Sequence, residues 1–266
     1  MPRAAKPVGQ ATRGKTALNR LRQIDVYMAL AHPGLLRGGA PLIVDVGFGA
    51  AAWTTLEMRT RWLGLNPRLR VVGLEIDPLR VAEALPHAHP PQISFRLGGF
   101  NVSDALQGEK ARLIRCYNVL RQYDEDAVKP ALDTMSLALE PGGILIEGTS
   151  NPSGRMVVFD LYQKASTGVI NHHSLVFGSN FRALIEPADF QTILPKRLIH
   201  RMRDPLPAAF FAAWQEAFWR TRHLRGIKAQ WISAARPLQA RFPVSLQPGL
   251  LHRGYLVLRG SLQGQP

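Results

Sequence analysis

The sequence predicts a doubly wound α/β fold, because three features recur between residues 38 and 180. Short apolar runs of strand length alternate with longer amphipathic stretches of helix length. The apolar runs are continuous, as expected of parallel strands that are buried on both faces. The first run leads into a glycine turn, in "VDVGFGAAAW". We therefore predict a mostly parallel, seven-stranded sheet with helices on both faces and an antiparallel last strand.

The elements follow one another in a regular order. The predicted strands of the central part are "LIVDVGF", "LRVVGLEI", "ISFRLGGF", "LIRCYNVL" and "GGILIEGTS", and the helices between them include "AAWTTLEMRTRWLGL" and "DEDAVKPALDTMSLAL". Before them, apolar residues at helical spacing predict a helix from about Thr16. After Gly154, "RMVVFDLYQ" and "HHSLVFGS" are separated by a short link, which predicts an antiparallel pair. From Pro187 onward the chain is mainly helical, with one further possible strand at "GYLVLRG".

Charge divides the chain into three parts. Residues 1–37, a basic arm and helix, hold 7 Lys and Arg against 1 acidic residue, and residues 187–266, a mainly helical extension, hold 12 against 3. The α/β domain between them, residues 38–186, has 14 basic and 15 acidic residues. Two basic flanks on a neutral core favour contact with a polyanion such as RNA.

Several classes of protein are disfavoured by what the sequence lacks. No apolar run approaches the roughly 18 residues that a membrane span needs, and the basic start shows no secretory signal. The only cysteine, Cys116, lies within an apolar run, and the histidines lack the spacing of metal ligands. We therefore expect a cytoplasmic protein without a membrane partner and without a metal site. The oligomeric state stays open.

The glycine turn is where the sequence points to a ligand. Gly47 and Gly49, followed by Ala52, match a dinucleotide-binding pattern, which on its own is a weak signal. Asp45, two residues before the first glycine, would repel a pyrophosphate at this place. A cationic ligand suits the turn better.

At these residues the chain resembles the class I S-adenosylmethionine-dependent methyltransferases. It also resembles a bacterial branch of that family, which shares the sequence segments "NRLR", "NVLRQY" and "LPKRLIHR". The resemblance implies a Rossmann-like domain and S-adenosylmethionine as cofactor. It implies that Gly47 and Gly49 admit the methionine part, that Asp45 helps to position its ammonium group, and that Glu75 accepts hydrogen bonds from the ribose. Asn118, after the fourth strand, would face the sulfonium. A Pro-Gly-Gly turn at residues 141–143 agrees with the family pattern.

The end of the third strand departs from that pattern. Many members have an acidic residue there for the adenine amine, whereas this chain has Gly99 followed by Phe100 and Asn101. Adenine would then be held by backbone groups, with Phe100 against the ring or Asn101 at the amine.

The methyl acceptor is harder to predict, because in-line transfer needs alignment rather than an obligatory base. The resemblance makes Asn118 a candidate catalytic residue. Arg121 and Tyr123 are further candidates by their own chemistry, since Tyr123 could stack on or orient a substrate and Arg121 could bind an anionic one, although both also suit an ordinary helix start. A buried Cys116 argues against methylation of carbon 5 of cytosine.

The basic arm supplies the candidate substrate-binding residues, Arg13, Lys15, Arg20 and Arg22, and it would either bind a phosphate backbone or fold over the S-adenosylmethionine cleft. Flank charge makes RNA the expected acceptor. A small-molecule or protein acceptor, and a protein that binds the cofactor without catalysis, remain open.

Overall fold

A computed structural model describes residues 6–183 and 185–262. One mixed sheet runs through these ranges, in the order β3-β2-β1-β4-β5-β6-β7-β9-β8. Its nine strands are β1 (Leu42–Val46), β2 (Arg70–Glu75), β3 (Ile93–Leu97), β4 (Ala111–Tyr117), β5 (Leu139–Ser150), β6 (Met156–Lys164), β7 (Ile170–Ser179), β8 (Val244–Ser245) and β9 (Tyr255–Arg259).

The sheet is larger and more antiparallel than the sequence predicts. The first five strands are parallel, with β1 at the centre between β2 and β4. The pairs β5–β6, β6–β7, β7–β9 and β8–β9 are all antiparallel. The predicted pairing of "RMVVFDLYQ" with "HHSLVFGS" is correct, but the prediction of seven strands is wrong, because the C-terminal segment adds two strands beyond β7.

Helices cover both faces of the sheet. They are α1 (Arg22–Ala31), α2 (Pro33–Leu36), α3 (Trp53–Trp62), α4 (Pro78–Ala84), α5 (Val102–Ala105), α6 (Glu125–Ser136), α7 (Lys196–Ile199), α8 (Pro205–Arg220), α9 (Ile227–Gln239) and α10 (Pro248–Leu251). The first helix begins at Arg22 rather than near Thr16, because residues 18–21 form a turn in which Asn19 has φ of 61°. Residues 6–17 have no regular secondary structure.

Three large apolar clusters form most of the core of the described residues. One packs α1, α3 and α10 on one face of the sheet, and a second packs α5 and α6 on the other. The third joins β6, β7 and β9 to α8 and α9 through a group of aromatic rings that includes Phe177, Phe210, Trp214 and Trp231. The aromatic residues of α8 and α9, in the C-terminal part that the sequence predicts to be mainly helical, are therefore mainly core residues.

Two negative findings apply to the described ranges. No helix there is both long and apolar enough to cross a membrane. No three His, Cys, Asp or Glu side chains in the same ranges are grouped as a metal ion requires.

Candidate functional site

The glycine turn lies at the carboxyl end of the central strand, where ligands bind in doubly wound sheets. Gly47 and Gly49 have φ of 74° and 87°, a backbone conformation that side chains disfavour. Glu75, at the end of the neighbouring β2, accepts a 2.9 Å hydrogen bond from the Gly49 N–H. The turn and the end of β2 therefore form one rigid surface.

Glu75 is already well supplied with hydrogen bonds. It is 1% exposed and also accepts from the N–H groups of Ile76 and Asp77, at 2.9 and 3.3 Å. Arg80 approaches the same carboxylate at 3.6 Å. The side chain lies at the predicted place, but much of its acceptor capacity is used to order the loop.

Asp45 does not reach the surface that the glycine turn and the end of β2 form, so its carboxylate is not placed for the role that the resemblance implies. It is 2% exposed, and its two oxygens accept hydrogen bonds of 2.8 and 2.7 Å from Arg115, its neighbour in register on β4. Arg115 also donates to Asp25 at 2.6 Å. Burial raises the pKa of Asp25 to about 6, against the opposing effect of Arg115. Asp45 therefore stabilises a buried arginine beneath the turn.

The N-terminal arm, residues 6–17, runs across this surface from the end of β3 to the glycine turn. We call the strip of surface beneath it the groove. At its far end the carbonyl of Val8 accepts a 2.8 Å hydrogen bond from the N–H of Phe100, and its N–H donates to Oδ1 of Asn101 at 2.8 Å. Gly99 permits this approach, since a Cβ there would lie 2.1 Å from the Val8 oxygen. The arm thus occupies the groups predicted to bind adenine.

The arm continues to the glycine turn through two further contacts. The Tyr123 hydroxyl accepts from the N–H of Gln10 at 2.7 Å and donates to its carbonyl at 2.9 Å. The carbonyl of Gly14 accepts from the N–H of Ala50 at 2.9 Å, and a Cβ on Gly49 would lie 2.8 Å from it. The close approach that Gly49 and Gly99 permit is therefore made by the chain's own backbone.

Two cavities remain beside the arm. The smaller, between Val8, Glu75, Phe100 and Tyr123, has a volume of about 20 Å³, enough for roughly one water molecule. The larger, between the glycine turn and Asn118, has about 230 Å³. Together they fall short of the roughly 300 Å³ at which ligand pockets begin.

Asn118 lines the larger cavity. It has φ of 61°, its Oδ1 accepts from the N–H of Ser150 at 2.9 Å, and its Nδ2 donates to the Ser150 hydroxyl at 3.2 Å. Tyr117 also lines the cavity. Tyr123 instead contacts the arm and the smaller cavity, so the three predicted catalytic residues do not form one group.

Four basic side chains line the larger cavity: Arg13, Lys15, Arg20 and Arg121. Arg121 donates to the carbonyls of Leu194 and Thr192 at 2.7 and 2.8 Å. Arg22, predicted with the arm residues, lines a separate surface groove. Arg20 and Arg22 are two positions apart around the start of α1, so their side chains point in different directions. This explains why Arg22 does not line the larger cavity.

Three features of the site escape sequence reasoning. Ser150 fixes Asn118 from the adjacent strand, and Thr16 places in the larger cavity a buried hydroxyl without a hydrogen-bond partner among the described residues. An ion pair of Arg115 could have been predicted from the sequence, because an arginine inside an apolar strand requires a buried carboxylate nearby. Cys116 is fully buried, and burial raises the pKa of its thiol.

The fold is similar to that of many solved class I S-adenosylmethionine-dependent methyltransferases, at low sequence identity. A TehB-like SAM-dependent methyltransferase from Corynebacterium glutamicum is 22% identical, with 51% of this chain and 64% of that chain covered and a TM-score of 0.36. Magnesium protoporphyrin IX methyltransferase from Synechocystis, with bound SAH, is 18% identical, with 53% and 61% covered and a TM-score of 0.38.

The CurJ carbon methyltransferase is 20% identical, with 50% of this chain and 34% of that chain covered and a TM-score of 0.38. The chain thus spans less than two thirds of the length of these proteins, and the similarity is one of fold. No protein-family model matches the chain, and no curated protein matches it.

Proposed function

We propose that this chain is an S-adenosylmethionine-dependent methyltransferase whose cofactor lies along the groove that the arm now covers. The observation that carries the proposal is the hydrogen-bonding pair at the end of β3. The Phe100 N–H and the Asn101 Oδ1 are one donor and one acceptor, and adenine presents a ring-nitrogen acceptor beside an amino donor.

The remaining groups along the groove suit the rest of the cofactor. Glu75 lies one strand nearer the centre, where it would hold the ribose, and Gly47 and Gly49 would admit the methionine part. The cofactor, when bound, supplies a methyl group on a sulfonium. Asn118, held by Ser150, would align the acceptor in the larger cavity, and Arg121 would orient it.

The arm and the cofactor exclude one another at the adenine end. Val8 presents to Phe100 and Asn101 the same acceptor and donor that adenine presents, and only about 20 Å³ remains there. Cofactor binding therefore requires that residues 8–14 leave the groove. The donor and acceptor set fits the cofactor once that space is free.

The site favours a small-molecule acceptor. Arg13 and Lys15, whose charge suggested RNA, line the same cavity as Asn118, and that cavity measures about 230 Å³. Arg20 and Arg121 line it too and lie outside residues 8–14, so positive charge stays directed at a ligand inside the cleft when the arm is displaced, which supports an acceptor small enough to enter it.

RNA is the second candidate, and one observation favours it. A surface groove of about 510 Å³ next to the start of α1 is lined by four arginines and, among its described residues, by no acidic side chain; the arginines are Arg22, Arg155, Arg182 and Arg253. Four arginines together would attract the phosphates of a polynucleotide.

Labelled methyl transfer tests the proposal. We would incubate the protein with methyl-labelled S-adenosylmethionine and cell extract, and treat portions with nuclease or protease. The expected label is in a small-molecule fraction that resists both. Label removed by nuclease would favour RNA, and absence of label despite cofactor binding would favour a binding protein without catalysis.

Calorimetry of S-adenosylhomocysteine tests the cofactor site by itself. Glu75→Ala should weaken binding by about 1.5–3 kcal/mol, the loss expected when a charged hydrogen-bond acceptor is removed. Glu83→Ala, which removes an exposed carboxylate from α4, is the matched control. Equal affinities of the two variants, with thermal unfolding showing both folded, would contradict the ribose contact.

A further inference from the structure

The larger cavity has an unbalanced positive charge. Its described lining includes Arg13, Lys15, Arg20 and Arg121 and no aspartate or glutamate. Two of these residues belong to the arm, one precedes α1 and one follows β4, so separate parts of the chain bring their charges to one place. Like charges held together in this way repel one another unless an anion lies between them.

None of the four cations forms an ion pair within the part of the chain that the structure describes. The carboxylates below the glycine turn, Asp45 and Asp25, are taken by Arg115. Glu147 lies near Arg121, but burial raises the pKa of its carboxyl to about 8, so it is mainly uncharged at neutral pH. These three acidic residues therefore do not neutralise the positive charge of the cavity.

Two of the cations are fixed in position by neutral groups. Arg121 donates to two backbone carbonyls, and Arg20 donates to the Ser150 hydroxyl at 3.2 Å and to the Lys15 carbonyl at 2.5 Å. Carbonyls and a hydroxyl hold a guanidinium in place without neutralising it. Both side chains are partly buried, which strengthens their attraction for an anion compared with exposed arginines.

The bound cofactor would not supply the missing negative charge. S-adenosylmethionine carries one carboxylate against an ammonium and a sulfonium, so its arrival leaves the cleft at least as positive as before. We propose that the methyl acceptor carries a phosphate or carboxylate group, which Arg121 and Arg20 bind beside Asn118 when the cofactor has displaced the arm. This inference rests on the proposed function, since it names the substrate class of the same cavity.

Binding of two simple anions tests it without requiring activity. Inorganic phosphate and citrate would be titrated into the full chain by calorimetry, against sodium chloride of equal ionic strength, with and without saturating S-adenosylhomocysteine. We expect at least one of them to bind at one site per chain and to bind also beside S-adenosylhomocysteine, more weakly there because release of the arm removes Arg13 and Lys15 from the cavity. Preference for phosphate or for citrate then tells which of the two groups the acceptor carries.

Substitutions locate the anion. Arg121→Gln and Lys15→Gln should each weaken anion binding, Arg121→Gln by at least about tenfold, as expected for loss of a charge-assisted hydrogen bond. Lys15 is exposed, so its variant keeps the test valid if Arg121→Gln fails to fold. Arg68→Gln, which removes an exposed cation before β2 at the other end of the strands, should bind like the parent.

Three results would overturn the inference: no binding of either anion, equal binding by parent and both cavity variants, or complete loss of anion binding in the presence of saturating S-adenosylhomocysteine. If both anions bind as expected while S-adenosylhomocysteine does not bind at all, the proposed function fails and the anion site stands. Loss of affinity in Arg22→Gln alone would place the anion in the outer groove and favour a polynucleotide.

Discussion

Glu147, on β5, is a carboxyl group that the fold buries without a hydrogen-bond partner in the described part of the chain. It lies directly opposite Asp160 on β6. Burial, and then the charge of Asp160, raise the pKa of Glu147 to about 8, while Arg197 and Arg121 oppose this change. Although burial alone would raise it, Arg197 and His172 lower the pKa of Asp160 to about 2. Of the two neighbours, Asp160 therefore carries the charge and Glu147 keeps the proton.

The stability of the protein should consequently depend on pH through Glu147. Its ordinary pKa is 4.5, so between that value and about 8 the folded chain holds one proton more than the unfolded chain. The contribution of protonated Glu147 to the free energy of unfolding is complete below pH 4.5 and is lost as pH rises through 8. Glu147→Gln is neutral at every pH, so its free energy of unfolding should gain on that of the parent between about pH 5 and pH 8. Urea unfolding at both pH values measures this.

Glu83→Gln, at an exposed position of α4, is the control, because the same chemical change there should give a difference from the parent that is nearly constant with pH. A constant difference for Glu147→Gln as well would mean that Glu147 is ionised in the folded protein.

At the scale of single residues, position was easier to predict from the sequence than hydrogen-bond partners. The glycine turn, Glu75 and Asn118 lie at the ends of strands as the pattern predicts. The ion pair between Arg115 and Asp45 was not predicted. It depends on which residues of two parallel strands lie side by side, and this register is a property of the folded sheet.

The N-terminal arm is the element that covers the end of β3 and the glycine turn. It contains no helix before Arg22, and its conformation comes from contacts with Phe100, Asn101, Tyr123 and Ala50, all distant in sequence. Local sequence patterns carry no information about such contacts, which is why the sequence left open whether the arm binds a phosphate backbone or folds over the cleft, and did not predict its contact with the groups expected to bind adenine.

Limited proteolysis should detect the release of the arm. If S-adenosylhomocysteine replaces Val8 at Phe100 and Asn101, trypsin should cleave after Arg13 and Lys15 faster when the ligand is present. Tyr123→Phe, which removes the hydroxyl that holds both polar groups of Gln10, should speed the same cleavage without ligand. Mass spectrometry of the fragments over time measures both rates.

Cleavage after Arg37, in an exposed turn, is the internal control for protease activity. Slower cleavage at Arg13 and Lys15 with ligand would contradict mutual exclusion, and would indicate instead that the arm closes over a bound cofactor.

At the scale of the whole molecule, the C-terminal segment is joined to the sheet. Its last strand, β9, pairs with β7, and β8 pairs with β9. Trp214 of α8 packs on Phe177 of β7 and on Trp231 of α9, with ring centroids 5.0 and 5.5 Å apart. The sequence predicted these helices, but aromatic residues on a helix do not tell whether they cover the chain's own sheet or a partner. Pairing between strands some 80 residues apart is likewise absent from local patterns.

Shared strands and a shared core predict that residues 38–186 and the C-terminal segment unfold together. Trp214→Ala should lower the free energy of unfolding by about 3–5 kcal/mol, because it opens a cavity in the aromatic cluster. Trp219→Ala, on the same helix but 53% exposed, should cost less than about 1 kcal/mol. In one cooperative unit, Trp214→Ala should reduce amide hydrogen-exchange protection in β1 as much as in β9. Reduced protection in β9 with an unchanged β1 would show instead that the C-terminal segment unfolds on its own, as the sequence-based division at residue 187 implies.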